Sequence, residues 1–342
     1  MRVTNKMLSN SFLTDMSTNL QNMQKLQKQM TSGKEISKPS DDPAKVARAM
    51  QLTTDINTNK QYNSNISNTT NWLDTTDTAL AQAGDVLQKV RELLVSAGNA
   101  AYGSSERQSI KDEINQRVDE LTQILNTNYD GKYVFGGTRS TTKPVQTVVN
   151  GSNNNIDYNI AVPPANPAYP TELNKINKKM NVEISQGVTM EYNVTAGDLL
   201  QFNNESGAGC NLGEQLKSIV NHLDGNLNTS TNTDPIISAK YTDAATDDPT
   251  LQLNNKDLQG ITDTINNLLN VRAQVGAKQN RSESAKSKNE DESFNMTTIL
   301  SKTEDIDITQ KTMEYATLQT VYMASLQTSA KVIQPTLMDY LK

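Results

Sequence analysis

The chain has 342 residues with one Cys, one His, one Trp and four Phe, 35% hydrophobic and 20% charged residues, and a formal charge of −6. A lone Cys210 and a lone His222 cannot supply a Cys/His zinc cluster, a disulfide or a Cys–His nucleophilic pair, so only all-carboxylate metal or acid/base chemistry stays open. Apolar content lies below the roughly 45–50% of an ordinary globular chain, which disfavours one large spherical core and points to an elongated helical body built on narrow apolar stripes.

Leu13, Met16, Leu20, Met23, Gln27 and Met30 alternate three and four apart, the heptad stripe of a helix that packs on another helix. Gly33 ends it, since Gly enters the left-handed conformation without steric cost. Asp42 can cap the next helix, with Pro43 at its first position, where a missing N–H does no harm. Ile66, Thr69, Leu73, Thr76, Leu80, Ala83, Leu87, Val90, Leu94 and Ala97 continue the alternation without a slip. A helix from about residue 43 to about 98 would be ~80 Å long, the length of a rod-like bundle or coiled coil. The turn at Gly103-Ser104-Ser105-Glu106 reverses the chain, and Ile110, Ile114, Val118, Leu121 and Leu125 mark a third helix folding back.

After Asn126 the pattern changes. Asp130-Gly131-Lys132-Tyr133-Val134-Phe135-Gly136-Gly137 sets β-branched and aromatic residues between turn glycines, as in a short strand or hairpin. Short alternating runs from Pro144 to about Leu200, cut by Asn150-Gly151, Pro163-Pro164, Pro167 and Pro170, read as a small antiparallel β domain with loops. Leu212 to Leu223 reads as a short helix and the Asn-, Thr- and Asp-rich stretch 225–248 as a surface loop. Helical spacing returns with Leu258, Ile261, Ile265, Leu268 and Val275. Residues 278–293 hold few apolar side chains and read as a solvated helix or a weakly ordered connection. Ser301 and Glu304 form a capping box that starts the last helix, whose stripe is Ile306, Thr309, Met313, Ala316, Thr320, Met323, Gln327 and Ala330; Pro335 closes or kinks it. No repeat of 20 to 50 residues is visible, against a solenoid.

No residue constellation demands chemistry. The acidic balance argues against nucleic-acid binding; residues 1–48 run positive, eight Lys and Arg against four Asp and Glu, and read as a solvated helix face. No stretch approaches ~18 uncharged apolar residues, so no membrane insertion is expected, and the first twelve residues lack the apolar core and cleavage site of a secretory signal peptide. Asp41-Asp42-Pro43 is better explained as a helix cap than as a calcium or magnesium site, which needs more oxygen ligands. The carboxylates at 290–292 and 304–307 sit where acidic residues favour helix dipoles. Gly136-Gly137 is followed by no Lys-Ser/Thr and makes no phosphate loop. His222 reads as a surface or satisfied histidine, and Trp72, beside the long seam, as a packing residue or a subunit contact. No metal or cofactor is expected, and an enzyme reading is weak because H-E-x-x-H and G-x-S-x-G are absent.

Several segments in order resemble the flagellar hook-associated protein 3 (FlgL) family, relatives of flagellin. They are Met1-Arg2-Val3-Thr4-Asn5, Ser32-Gly33-Lys34-Glu35-Ile36 with Pro39-Ser40-Asp41-Asp42-Pro43, and Arg91-Glu92-Leu93-Leu94 with Ala97-Gly98-Asn99. Then follow Gly131 to Gly137, Arg272 with Gly276-Ala277 and Asn280-Arg281, Glu304-Asp305-Ile306-Asp307, and Pro335 to Leu341. The resemblance covers about residues 1–140 and 258–342; Lys34 stands where the family often has Arg, and residues 141–257 carry no family motif. It implies a mainly α, flagellin-like rod of long antiparallel coiled-coil helices with paired N- and C-terminal helices and a β-rich insertion. The expected parts are an assembly helix at 1–42, a rod domain at 43–140, a β-rich outer domain at 141–257, a rod return at 258–300 and a second assembly helix at 301–342.

By resemblance the function is that of a non-enzymatic junction protein between hook-associated protein 1 and flagellin, extracellular and exported without a cleaved signal. An export chaperone and self-association in a ring or helical layer are further implied partners. The expected subunit-interface residues are Leu13, Met16, Leu20, Met23, Met30, Ile306, Met313, Met323, Leu337 and Leu341, and the termini are expected to order on assembly rather than form an ordinary stalk within one molecule. Flagellin itself is the alternative, disfavoured by the Gln334–Leu341 ending and by Val134-Phe135-Gly136-Gly137. A cytosolic coiled-coil scaffold is a second alternative that leaves the β insertion unexplained.

Overall fold

A computed structural model describes residues 5–36, 38–98, 103–151, 153–164, 166–204, 207–227, 240–244 and 247–332. The chain is mainly helical. Among the described residues the helices are α1 (Asn5–Ser32), α2 (Pro43–Ala97), α3 (Ser104–Leu125), α4 (Tyr169–Ile176), α5 (Ala196–Leu200), α6 (Leu212–Leu223), α7 (Pro249–Gln252), α8 (Leu258–Glu304) and α9 (Ile308–Val332), with a π-helical turn, Leu253–Asp257, joining α7 to α8; Lys240 and Tyr241 are helical as well. Between α3 and α6 the described residues form four separate antiparallel hairpins: β1–β2 (Asn128–Tyr129, Lys132–Tyr133), β3–β4 (Val145–Asn150, Asn153–Tyr158), β5–β6 (Asn181–Ser185, Val188–Glu191) and β7–β8 (Gln201–Asn203, Gly209–Asn211). Two compact units result, residues 1–60 with 290–342, and residues 61–289.

In the second unit the three–four alternation of α2 does what the spacing predicts. All ten seam residues from Ile66 to Ala97 are buried, since that spacing keeps them on one helix face. Ile114, Val118, Leu121 and Leu125 of α3 and Ile261, Ile265, Leu268, Val271 and Val275 of α8 close over them. Each fully buried Leu or Ile contributes about 1.5–3 kcal/mol against exposure. The antiparallel register of α2 and α8 is tied by Arg272, which donates to both Asp77 carboxylate oxygens at 2.7 and 3.1 Å, and by Gln279, which donates to Asp74 at 2.7 Å. Trp72 is a packing residue within the chain, nearly buried between the edge-on rings of Tyr129 and Tyr192.

The insertion differs from the small β domain expected over 144–200. Its hairpins are two-stranded and interspersed with helices, and Val145, Ile156, Tyr158, Ile176, Leu199, Leu212 and Leu216 join the same apolar cluster as α2, α3 and α8. Isolated two-stranded hairpins are marginal in water, and here each lies against helices. Asp130 (φ 50°) and Gly131 (φ 74°) form the tight β1–β2 turn, the doubly positive geometry that suits Asp-Gly. Gly137 (φ 56°) lets the chain pass the end of α4, where a Cβ would stand 2.1 Å from the Ile176 carbonyl oxygen and Thr138 N–H donates to Lys175 O at 2.9 Å.

The apolar-poor stretch 278–293 is continuous helix within α8. Its buried side chains are polar because they meet a hairpin: Asn289 donates to Ile184 O at 2.7 Å and Ser282 lies on the Met190 sulfur. The last helix starts later than the Ser301–Glu304 capping box predicts. Helix α8 runs through to Glu304 and Ser301 donates to Asp305 at 2.6 Å. Asp307 caps α9 instead, accepting from Thr309 and Gln310 N–H at 2.9 and 3.1 Å, as a short acidic side chain just before a helix does.

Candidate assembly surface

In the first unit, α1 packs antiparallel against α9. The turn after α1 begins at Gly33 (φ 71°), which brings Lys34 into a β-bridge with Asp305. Glu35 N–H donates to Glu304 O at 2.6 Å and Ile306 N–H to Gly33 O at 3.1 Å. Lys34 Nζ lies 2.5 Å from Glu304 Oε1, Lys45 lies 2.9 Å from Glu35, and Gln29 donates to Glu35 O at 2.6 Å. Two segments that carried the family resemblance, at 32–36 and 304–307, thus form one clasp. Asp42 caps α2 by accepting from Lys45 N–H at 3.1 Å. Beside the clasp a groove of about 360 Å³ is lined by Ile36, Val46, Ala49 and Met50 between Lys34 and Glu304.

The two terminal helices use only part of their apolar surface on each other. On α1 the main covered positions are Phe12, Met16, Asn19, Met23, Leu26 and Met30, with Gln29 buried beside them; on α9 they are Lys311, Tyr315, Leu318, Tyr322 and Ser325, with Glu314 and Ser329 half-buried at the side. Both sets keep heptad spacing. The predicted stripe on α1 shares Met16, Met23 and Met30 with this seam, whereas Leu13 and Leu20 face solvent, 50% and 39% exposed. On α9 the predicted stripe is a different face: Met313 is 62% and Met323 52% exposed, with Ile308, Val321 and Leu326 also exposed. Ile306 is half-buried in the clasp. Leu337 and Leu341 lie outside the described residues. The helix pair therefore leaves several large apolar side chains open to solvent, as a protein–protein contact surface does.

The remaining titratable cluster lies in the second unit and was not legible from spacing. His222, with no exposed surface, sits between Asp257 and Asp243, residues 35 and 21 positions away in the chain. It is a satisfied histidine rather than a surface one. Among the described residues no group of three or more His, Cys, Asp or Glu side chains could hold a metal, and no helix is long and apolar enough to cross a membrane.

Residues 3–140 match the bacterial flagellin N-terminal helical region and residues 258–341 the flagellin C-terminal helical region, together well over half of the chain. The chain belongs to the bacterial flagellin family. Within that family it is 24% identical to flagellar hook-associated protein 3 of Escherichia coli over 329 residues, 95% of each chain. It is 26% identical to flagellin of Bacillus subtilis over 318 residues, 92% of this chain and 90% of that one. Against flagellin of Clostridium tyrobutyricum the 31% identity spans 127 residues, about a third of either protein (37% and 34%). The fold is similar to the crystal structure of hook-associated protein 3 from Legionella pneumophila, with a TM-score of 0.56 and 15% identity over 74% of this chain and 98% of that one. Flagellin-family chains are structural parts of flagella, and the helical regions that define the family here include both sides of the clasp and the exposed α9 face.

Proposed function

We propose that this flagellin-family chain is the hook–filament junction protein of its flagellum, a non-enzymatic adaptor between hook-associated protein 1 and the first flagellin subunits. The exposed large apolar side chains on the paired terminal helices carry the reading. Exposing Met313, Met323, Leu13 and Leu20 to water is unfavourable by roughly 25 cal/mol per Å² of apolar surface, a cost that axial packing of neighbouring subunits removes. Val134-Phe135-Gly136-Gly137 and the Gln334–Leu341 ending, which resemble hook-associated protein 3 better than flagellin, support the junction over the filament. Self-association in a ring or helical layer, export through the flagellar channel without a cleaved signal, and a cognate export chaperone complete the reading; the mature position is extracellular.

The nearly full-length match to a flagellin favours a second reading, in which the chain is a filament subunit. A deletion strain separates the two. Intact hooks with flagellin shed into the medium support the junction, while a normal filament would sink it. Immunogold label at one ring near the hook agrees with the junction, and label along the whole filament with flagellin.

A further inference from the structure

The cluster around His222 has no part in the pairing of the terminal helices, and its geometry favours the imidazolium. His222 Nδ1 lies 2.5 Å from Asp257 Oδ2 and Nε2 lies 2.7 Å from Asp243 Oδ2. All three side chains have no exposed surface. A neutral imidazole has one N–H and one lone pair, so it can donate to one carboxylate only and would turn its lone pair on the other; the imidazolium donates to both. The surroundings agree. Asp257 Oδ1 is occupied by Ser218 Oγ at 3.0 Å and Gln215 Nε2 at 3.1 Å, and Lys256 Nζ takes Asp243 Oδ1 at 3.0 Å. With His222 charged, each carboxylate meets a cation: the ring faces both, and Lys256 faces Asp243 as well. At the end of the same helix Lys111 and Asp224 pair at 2.7 Å and balance each other. Burial pulls the imidazole toward its neutral form, yet Asp257 and Asp243 outweigh it and hold His222 above its ordinary value.

Each carboxylate belongs to a different element. Asp257 ends the π-helical turn that leads into α8. Asp243 belongs to the short segment 240–244, which is pinned side chain by side chain. Besides Asp243, Tyr241 is buried and accepts from Asn211 N–H at 3.2 Å, and Lys240 Nζ lies 2.8 Å from the buried Cys210 sulfur. Lys256 also donates to Thr242 O at 3.2 Å.

We propose that His222 is a proton-operated latch that fastens segment 240–244 onto α6 and the π-helical turn, holding it closed while the imidazole is protonated and releasing it at alkaline pH. Loss of the proton leaves two buried carboxylates around a ring that can satisfy one of them, and the segment carrying Asp243 moves out because these contacts run through side chains rather than a strand ladder. The sign follows from linkage: a raised folded-state value makes the latch fully effective below the unfolded value near 6.5, and its contribution fades as pH rises through the folded value.

Because His222 is the only histidine in the chain, ¹⁵N-histidine labelling reads it without ambiguity. At pH 7 both ring nitrogens should show imidazolium shifts, with a titration midpoint above 6.5. Amide exchange across 240–244, expressed as protection against intrinsic rates, should hold steady below about 6.5, fall about tenfold per pH unit between there and the folded-state midpoint, the slope of one linked proton, and level off above it. Asp243→Asn should lower the midpoint and remove the pH dependence of protection. His222→Gln should also remove it; if that variant does not fold, the Asn variant carries the same test. A pyridine-type ring nitrogen at pH 7, or protection in the wild-type chain that does not follow the titration, overturns the latch.

Discussion

Lys34 and Glu304, 270 residues apart along the chain, meet at 2.5 Å, and the peptide groups beside them exchange hydrogen bonds between the end of α1 and the start of the α9 linker. The ion pair is open to solvent, with Lys34 about half exposed, and such pairs contribute about 0.2–1 kcal/mol. Lys34→Ala is therefore expected to cost under ~1 kcal/mol. Gly33→Val, which forces a β-branched residue to φ 71°, should cost more, on the order of 1–2 kcal/mol. Thermal melts of the two variants rank them; a lysine variant that melts lower than the valine one would mean that the ion pair, not the backbone turn, sets the clasp.

The outward face of α9 makes the assembly reading quantitative. Met313→Glu and Met323→Glu replace side chains that are 62% and 52% exposed, so the isolated chain should melt within about 0.5 kcal/mol of wild type. Incorporation into flagella should fail, because each variant would place a charge in an apolar contact. Normal motility with either variant would remove this face from the proposed interface.

Core substitutions on α2 should behave oppositely. Leu80 is fully buried among α2, α3 and α8, and Leu80→Ala should cost about 2–5 kcal/mol through lost transfer energy and a residual cavity. Urea titration measures it.

Two glycines with positive φ separate backbone strain from crowding. A Cβ added at Gly131 (φ 74°) would have nothing within 4 Å, whereas one added at Gly137 (φ 56°) would stand 2.1 Å from a carbonyl oxygen. Gly131→Ala should cost only the conformational penalty of about 1 kcal/mol. Gly137→Ala should cost clearly more, since α4 must shift. Equal melting losses would contradict the close packing of α4.

Burial and the nearby Lys179 hold the Lys278 ammonium below its ordinary range. For a lysine with a depressed folded value, the charged form opposes folding, so stability rises as pH climbs through the folded value toward the unfolded one near 10.4. Lys278→Met should flatten this rise and leave stability near pH 7 equal or slightly higher, by at most ~1 kcal/mol after solvent screening of a half-buried group. Guanidinium midpoints between pH 7 and 10 check the slope.

Periodicity carried a long way. The α2 seam from Ile66 to Ala97 is buried without exception, because a three–four alternation held over ten positions can place its residues on one face only if the segment is helical. Turn glycines were equally legible at Gly33, Asp130-Gly131 and Gly137, where positive φ is a local requirement. The terminal helices were harder. Met16, Met23 and Met30 belong to both the predicted stripe and the observed seam, yet Leu13 and Leu20 lost their expected place to Phe12, Asn19 and Leu26. When a helix has apolar residues on two adjacent faces, spacing gives the period and leaves the partner's side open.

What the amino-acid order determined by itself was local and periodic: the long helices, the cap at Asp42, the tight turns, and a composition too polar to need one large core. What only the tertiary structure decided was which distant residues meet. It joined Lys34 to Glu304, turned Met313 and Met323 to solvent, drew the hairpins into the helical core instead of a separate β domain, and placed His222 between Asp243 and Asp257. Helix and turn preferences act over three or four residues and repeat, so they leave a readable pattern. Contacts between residues far apart in the chain follow from how whole faces pack, and no spacing along the chain encodes them.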